Sequence, residues 1–263
     1  MIRLIRKWLK AGVMDGAERT SSDIGSPQGS VVSPTLANIY LHYTFDLWAD
    51  QWRRHQARGN VVLVRYADDT VGGFEYESDA KRFLADLRER LEKFALSLHP
   101  DKTRLIECSR YAAKSRARRG LGRPETFDFV GFTHISGHSL AGRFLLKRKT
   151  RRDRMRARLR AIKEGLRRRM HEPIPELGRW LGQVVRGYFA YDAVPTNTKS
   201  LRAFRHYVSA LWRRSLRRRG QRDRTTWIRI ARLVAAFRPA VRIRHPWPQD
   251  RFAVNHPRWK PGA

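Results

Sequence analysis

The chain of 263 residues is 41% hydrophobic, enough to build real cores in one large domain or two small ones, and its formal net charge is +32. Such an excess exceeds what an acidic small substrate requires and points to a polyanion, nucleic acid or an anionic membrane surface. The single cysteine, Cys108, excludes an internal disulfide framework and a Cys-rich zinc site and fits a reducing cytosol, so a cytoplasmic protein is expected. No 18-residue apolar run occurs, and the opening "MIRLIRKWLKAGVM" lacks a long apolar core and a cleavage site, so neither a membrane span nor a secretion signal is expected.

The charge is unevenly placed. Residues 1–146 hold 23 Lys and Arg against 17 Asp and Glu, whereas residues 147–263 hold 33 against 7. In residues 2–13, Ile2, Ile5, Leu9 and Val13 fall on one helical stripe, which predicts a surface helix. Residues 15–30 read as a polar loop ending in "GSPQGS". Ser33 as N-cap and Pro34 at the first helical position then open a helix whose predicted buried face is Leu36, Tyr40, Tyr43 and Leu47, fading near Gly59.

The run "VVLV" is short and uniformly apolar, which places Val61–Ala67 in a sheet covered on its back by helices, with a partner strand from Thr70 to Glu75. Ser78 and Asp79 start the next helix, with Phe83, Leu87, Leu91, Phe94 and Leu98 at a period near 3.6, until "HPDKT" breaks it. A basic loop, "AAKSRARRGLGRPE", leads to "TFDFVGFTH" and "RFLLKRKT", read together as a second hairpin. From Arg151 the signal is helical: Met155, Leu159, Ile162 and Leu166, then Leu177, Leu181, Val184 and Tyr188, then Leu201, Phe204, Val208 and Leu211 predict three helices in a small bundle. The tail from Arg238 carries Pro239, Pro246, Pro248, Pro257 and Pro261 and cannot form a long helix.

Strand, turn, strand and helix followed by a bundle is an α+β pattern, and Asp68 and Asp69 stand side by side at the tip of its first hairpin. Asp suits a solvated turn, which is the plain reading. Adjacent carboxylates repel unless cations are near, however, so the arrangement makes best sense as a divalent-metal site, and oxygen ligands favour Mg²⁺ or Mn²⁺. Two such ions about 3.5–4 Å apart clamp the attacking and leaving oxygens of an in-line phosphoryl transfer.

Tyr66-Ala67-Asp68-Asp69 resembles the Tyr-x-Asp-Asp motif of reverse transcriptases, and three neighbouring blocks resemble the group II intron reverse transcriptase/maturases: "GSPQGSVVSPTLANIYLHYTFDLW", "LSLHPDKTRLIE" and "FDFVGFTH". The helical "LGRWLGQVVRGYFAYDAV" and "LRAFRHYVSALWRRSLRRR" resemble that family's thumb or X domain, and "RFAVNHPRWKPGA" resembles its ending. The resemblance implies an RNA-directed DNA polymerase, with nucleotidyl transfer dependent on Mg²⁺ or Mn²⁺. It implies as partners the group II intron RNA, template RNA with primer DNA, and dNTPs. It implies an α+β fold with a partial fingers/palm over residues 1–146, a basic thumb/maturase (X) bundle over 147–235 and a Pro-rich extension over 236–263.

Residue by residue, the resemblance makes Asp68 and Asp69 the catalytic metal-binding pair, placed at the strand end by Tyr66 and Ala67. Pro27, Gln28 and Gly29 match the loop lining the template and nucleotide pocket, Lys102 matches a lysine near the triphosphate, and Phe129, Gly131 and Phe132 match the strand that supports the primer end. Singly, these residues also fit a Gly/Pro surface loop, an exposed lysine and core aromatics; their order along one chain favours the functional reading.

The family pattern includes a third metal-binding Asp on an earlier strand. The acidic residues before the Pro-Gln-Gly block are Asp15, Glu18 and Asp23, all in the polar loop, where no strand is expected to present one. The chain therefore looks like the C-terminal part of a longer enzyme, expected to polymerise little or not at all alone, and without a Cys/His-rich nuclease extension. The alternative is a non-catalytic maturase remnant that holds intron RNA through its basic half. Arg pairs phosphate bidentately and stacks on bases, and Trp180, Tyr188, Phe189, Tyr191, Trp212 and Trp227 lie among these charges, most of them expected in the core. A membrane-surface role for residues 151–170 ranks lower, because the apolar stripe is narrow and carries no Trp or Phe.

Overall fold

The computed structural model describes residues 2–9, 13–15, 18–20, 32–139, 141–220, 225–248 and 250–251. Contacts divide the chain into two units, Met1–Leu105 and Ile106–Ala263, and each is taken by itself. Helices and small antiparallel sheets occur in both, so the mixed α and β character expected from the sequence holds.

The first unit begins with helix α1 (Ile2–Leu9), shorter than the predicted 2–13. Strands β1 (Val13–Asp15) and β2 (Glu18–Thr20) follow, antiparallel, with Asp15 paired to Glu18. This corrects the expectation that no strand is present there. The two residues between the strands lie outside the described residues. Asp23 and the block Pro27, Gln28 and Gly29 lie outside the described residues.

Helix α2 (Ser33–Leu41) is capped by the backbone of Val32, one residue before the predicted Ser33, with Pro34 in its first turn. A π-helical turn, His42–Asp46, joins it to α3 (Leu47–His55). The predicted buried face fails here: Tyr40, Tyr43 and Leu47 are exposed, Tyr43 at 64%, while Thr44, Phe45, Ala49 and Trp52 are buried. A π turn holds more residues than an α turn, so a stripe drawn at period 3.6 through it slips off the covered side.

Strands β3 (Val61–Tyr66) and β4 (Asp69–Phe74) form a two-stranded antiparallel hairpin. Val61 joins Phe45, Trp52, Phe83, Leu87 and Leu91 in the core on one face. The other face is open, with Val62 63% exposed, so the helices cover the hairpin on its back alone. Trp52 sits edge-on to Phe83 at 5.0 Å and donates through Nε1 to Asp86 at 2.6 Å. Helix α4 (Glu77–Glu92) starts two residues before the expected Asp79, which lies in its first turn, is 1% exposed, and accepts through its carboxylate the backbone N–H groups of Arg58 and Gly59 at 2.8 and 3.1 Å. Burial opposes the charge on Asp79, but those two N–H groups and Arg82 more than offset it and hold the carboxyl below its usual range.

The second unit opens with helix α5 (Ala112–Arg118) inside the predicted basic loop. Ala, Lys and Arg are strong helix formers, and Gly120 with φ +69° ends the turn that follows. The stretch read as two strands is three: β5 (Thr126–Phe129), β6 (Phe132–His138) and β7 (Phe144–Thr150) pair as an antiparallel meander. "TFDFVGFTH" is itself a hairpin, turned by Val130 and Gly131 at φ +45° and +77°, the left-handed values a tight two-residue turn requires.

Helices α6 (Arg152–Arg168), α7 (Ile174–Asp192) and α8 (Thr198–Arg217) match the three expected, and α9 (Trp227–Phe237) is a further one, capped by the Thr226 hydroxyl accepting from Arg229 N. Ile162, Leu166, Leu177, Leu181, Val185, Phe189, Leu201, Phe204, Val208 and Trp212 form one core. Val185 and Trp212 are fully buried, where periodicity alone favoured Val184 and Leu211. A Cβ on Gly178 would lie 2.7 Å from the Phe237 ring, so glycine on α7 admits the end of α9. The start of the bundle is fastened to the meander by a dry polar cluster. Thr150 Oγ1 donates to Asp192 at 2.7 Å, Asn197 Nδ2 donates to Thr150 Oγ1 at 2.7 Å, and Thr150 N donates to Asn197 Oδ1 at 3.0 Å. Residues 238–247 form no helix, as the prolines predict.

Candidate metal and nucleic-acid site

The β3–β4 register pairs Tyr66 with Asp69 and leaves Ala67 and Asp68 as the turn. Paired residues share a face, and side chains alternate along a strand. Tyr66 and Asp69 therefore stand on the open face with Val62, Val64 and Val71, while Arg65 faces the helices with Val61 and Leu63. Asp68 and Asp69 are both exposed, and Tyr66 is 64% exposed beside them. Ala67 carries the turn at φ +54°, a left-handed value that is costly for a residue with a Cβ.

Beneath this tip lies a network that reasoning from the sequence missed. Arg65 grips Asp46 through Nε and Nη2, at 2.7 and 2.6 Å, and its Nη1 donates to Asn38 Oδ1 at 2.9 Å and to the Ala67 carbonyl at 2.8 Å. The Arg65 fork holds the Asp46 carboxyl below its ordinary range, with a smaller contribution from His42, whose Nδ1 lies 3.4 Å away. A shallow groove of about 640 Å³ is lined by Asn38, Ile39, His42, Tyr43, Asp46 and Arg65. The one sequence cue was an arginine inside an otherwise apolar strand, which needs a partner to sit on its covered face.

The other predicted site residues are distributed as follows. Lys102 is exposed in the turn after α4, and among the described residues no hydrogen bond or ion pair joins it to the tip. Pro27, Gln28 and Gly29 lie outside the described residues. Phe129, Gly131 and Phe132 belong to the second unit, where Phe129 and Phe132 are paired across the hairpin. Phe132 is buried and stacks on Tyr191 with centroids 5.6 Å apart, and Gly131 makes room for the Arg154 guanidinium. Of the aromatics named above, Tyr188, Phe189 and Trp212 are core residues, whereas Tyr191 and Trp227 keep nearly half their surface exposed. Trp227 stacks on His206 at 5.8 Å and lies under the Arg213 guanidinium at 4.9 Å.

Among the described residues no group of three or more His, Cys, Asp or Glu side chains converges on one point where an ion could sit. The tip offers two carboxylates. Among them also, no helix is long and apolar enough to cross a membrane.

Residues 1–134 match the family described as "Reverse transcriptase (RNA-dependent DNA polymerase)". The chain is similar to the "Uncharacterized 91 kDa protein in cob intron" of Schizosaccharomyces pombe, 56% identical over 111 residues, which are 41% of this chain and 14% of that protein. It is also similar to the "Group II intron-encoded protein LtrA" of Lactococcus lactis subsp. cremoris, 50% identical over 42 residues, 16% of this chain and 7% of that protein. The matched stretches are thus a small part of each relative's length. With its Tyr-Ala-Asp-Asp hairpin and a family match over half its residues, the chain belongs to the reverse transcriptase (RNA-dependent DNA polymerase) family.

Proposed function

We propose that this chain handles intron RNA and, at the β3–β4 tip, holds the divalent ions of nucleotidyl transfer. The observation that carries the reading is the pair Asp68 and Asp69, exposed together at the tip, with Asp69 on the hairpin face that holds the exposed Val62 and Val64. Residues 1–146 act as fingers and palm, 147–235 as thumb and maturase bundle, and 236–263 as an extension. Pro27, Gln28, Gly29, Tyr66, Ala67 and Lys102 bind template and nucleotide, and Phe129, Gly131 and Phe132 support the primer.

The donor chemistry fits Mg²⁺ or Mn²⁺: both ligands are carboxylate oxygens at an exposed tip, and Mg²⁺ is commonly held by one or two carboxylates with water and substrate phosphates filling its other positions. Bound there, such ions neutralise charge on the attacking and leaving oxygens of phosphoryl transfer. The protein's own work is to aim the two carboxylates and to seat the polynucleotide. Tyr66 provides a flat wall beside Asp69. The second unit supplies charge, with 40 Lys and Arg against 10 Asp and Glu, and on α6 Arg152, Arg154, Arg156, Arg158 and Arg160 are exposed.

A second reading, RNA binding without polymerisation, is favoured by the donor count. The described residues bring two carboxylates to the tip and no third group. Primer extension on an RNA template with Mg²⁺ or Mn²⁺, beside binding of intron RNA against random RNA of equal length, separates the two. Extension abolished by Asp68→Ala supports the polymerase. No extension, with binding that prefers intron RNA, supports the remnant. Equal binding to random RNA overturns the intron-RNA assignment in both.

A further inference from the structure

We propose that Arg65 is the positioning residue for the Asp68–Asp69 pair, an inference that rests on the metal-holding reading above. Its guanidinium has two ends with different tasks. Three of its hydrogen bonds, two to Asp46 and one to Asn38, fasten it to the helical layer formed by α2 and the π turn. The fourth, from Nη1 to the Ala67 carbonyl at 2.8 Å, reaches the tip. That carbonyl belongs to the peptide joining Ala67 to Asp68, so the bond fixes the plane from which the Asp68 side chain departs.

The same peptide follows a residue at φ +54°, a conformation that an alanine leaves readily unless something holds it. Arg65 supplies the hold from the covered face, while the carboxylate of Asp69 and the ring of Tyr66 occupy the open one. A lysine cannot substitute, because a single ammonium lacks the rigid fork that grips Asp46, Asn38 and the Ala67 carbonyl at once. Outer groups that orient a ligand in this way typically govern metal affinity by about 10–100-fold.

A purely structural role, stapling β3 to the helices, predicts lost stability and an unchanged metal affinity. The two roles separate in a Mn²⁺ titration followed by electron paramagnetic resonance on the full chain, with circular dichroism to establish that each variant is folded. In Asp68→Asn/Asp69→Asn, Mn²⁺ binding at the tip is lost. In Arg65→Lys it weakens by about tenfold, and the bound-ion spectrum changes. The double variant Arg65→Met/Asp46→Leu replaces both partners by apolar groups of similar size, leaving no charge stranded, so it folds where a single removal fails. It also weakens Mn²⁺ binding by about tenfold. Folded Arg65 variants with wild-type Mn²⁺ affinity, alongside a tip variant that loses it, overturn the positioning role alone. Mn²⁺ binding indifferent to Asp68→Asn/Asp69→Asn overturns the metal reading first, and the positioning role with it.

Discussion

The Tyr191 hydroxyl donates to the Val130 carbonyl at 2.7 Å, so the end of helix α7 holds the turn between β5 and β6. Val130 needs that hold: at φ +45° it is a β-branched residue in a left-handed conformation, where Asn or Gly sits more easily. Val130→Asn is expected to raise the unfolding free energy of the chain by about 1 kcal/mol, by relieving that strain. Tyr191→Phe is expected to lower it by about 1 kcal/mol. Urea titrations followed by circular dichroism measure both, and a Val130→Asn variant less stable than wild type refutes the strain.

The pH dependence of the second unit reports on Asp192. Burial raises its carboxyl above the ordinary range, with Thr150, Arg154 and Arg158 opposing in part. The folded chain therefore keeps the Asp192 proton to higher pH than the unfolded chain does. Between the unfolded and folded values, stability falls as pH rises, and above the folded value the loss is complete. Asp192→Asn keeps an oxygen for the Thr150 hydroxyl and removes the charge, so its melting temperature relative to wild type is expected to rise from pH 4 to pH 7. A constant difference across that range refutes the assignment. Asp46 and Asp79, whose carboxyls are held low, act with the opposite sign in both proteins and cancel in the comparison.

Leu181 is fully buried at the centre of the bundle. Leu181→Ala is expected to cost about 2–5 kcal/mol, toward the upper end because the surrounding Leu, Phe and Trp side chains cannot close the void. Denaturant titration measures it, and a cost below that range shows a core able to collapse.

Asp79 carries the loop at Arg58 and Gly59 on its carboxylate. Asp79→Ala strands two backbone N–H groups and is expected to lower the melting temperature by several degrees, with amide exchange at residues 58 and 59 accelerating. Asp79→Asn, which retains an acceptor oxygen, is expected to lose less. Equal losses point to the Arg82 charge instead of the N–H groups.

The hairpin bearing Asp68 and Asp69 was legible because its information is local, an apolar run and a second extended run around a short turn, although the turn is Ala67 and Asp68 and not the expected Asp68 and Asp69. The helices α6, α7 and α8 announced themselves through long apolar periods. What escaped depends on position in space. The Arg65 network reaches Asp46 and Asn38, 19 and 27 positions away, and no pattern on the strand reveals that Asp46 waits on a helix. The π turn at His42–Asp46 rotated the covered face of α2 and α3 away from the apolar stripe. Helix α9 was hidden because its arginines and the turn residues before it resemble the tail that follows. The Val130-Gly131 turn was missed because valine is a poor turn former, held here by the Tyr191 hydroxyl.

The Thr150–Asp192–Asn197 cluster also bears on how the second unit comes apart. Its three residues are buried and hydrogen-bonded to one another, so withdrawing one leaves a buried polar group unpaired. The end of β7 thus cannot peel from the helices by small steps. The meander and the bundle should denature as a single cooperative block, giving one calorimetric peak whose van't Hoff and measured enthalpies agree, so that a tug on the arginine-rich helices is felt at the strand carrying Phe132.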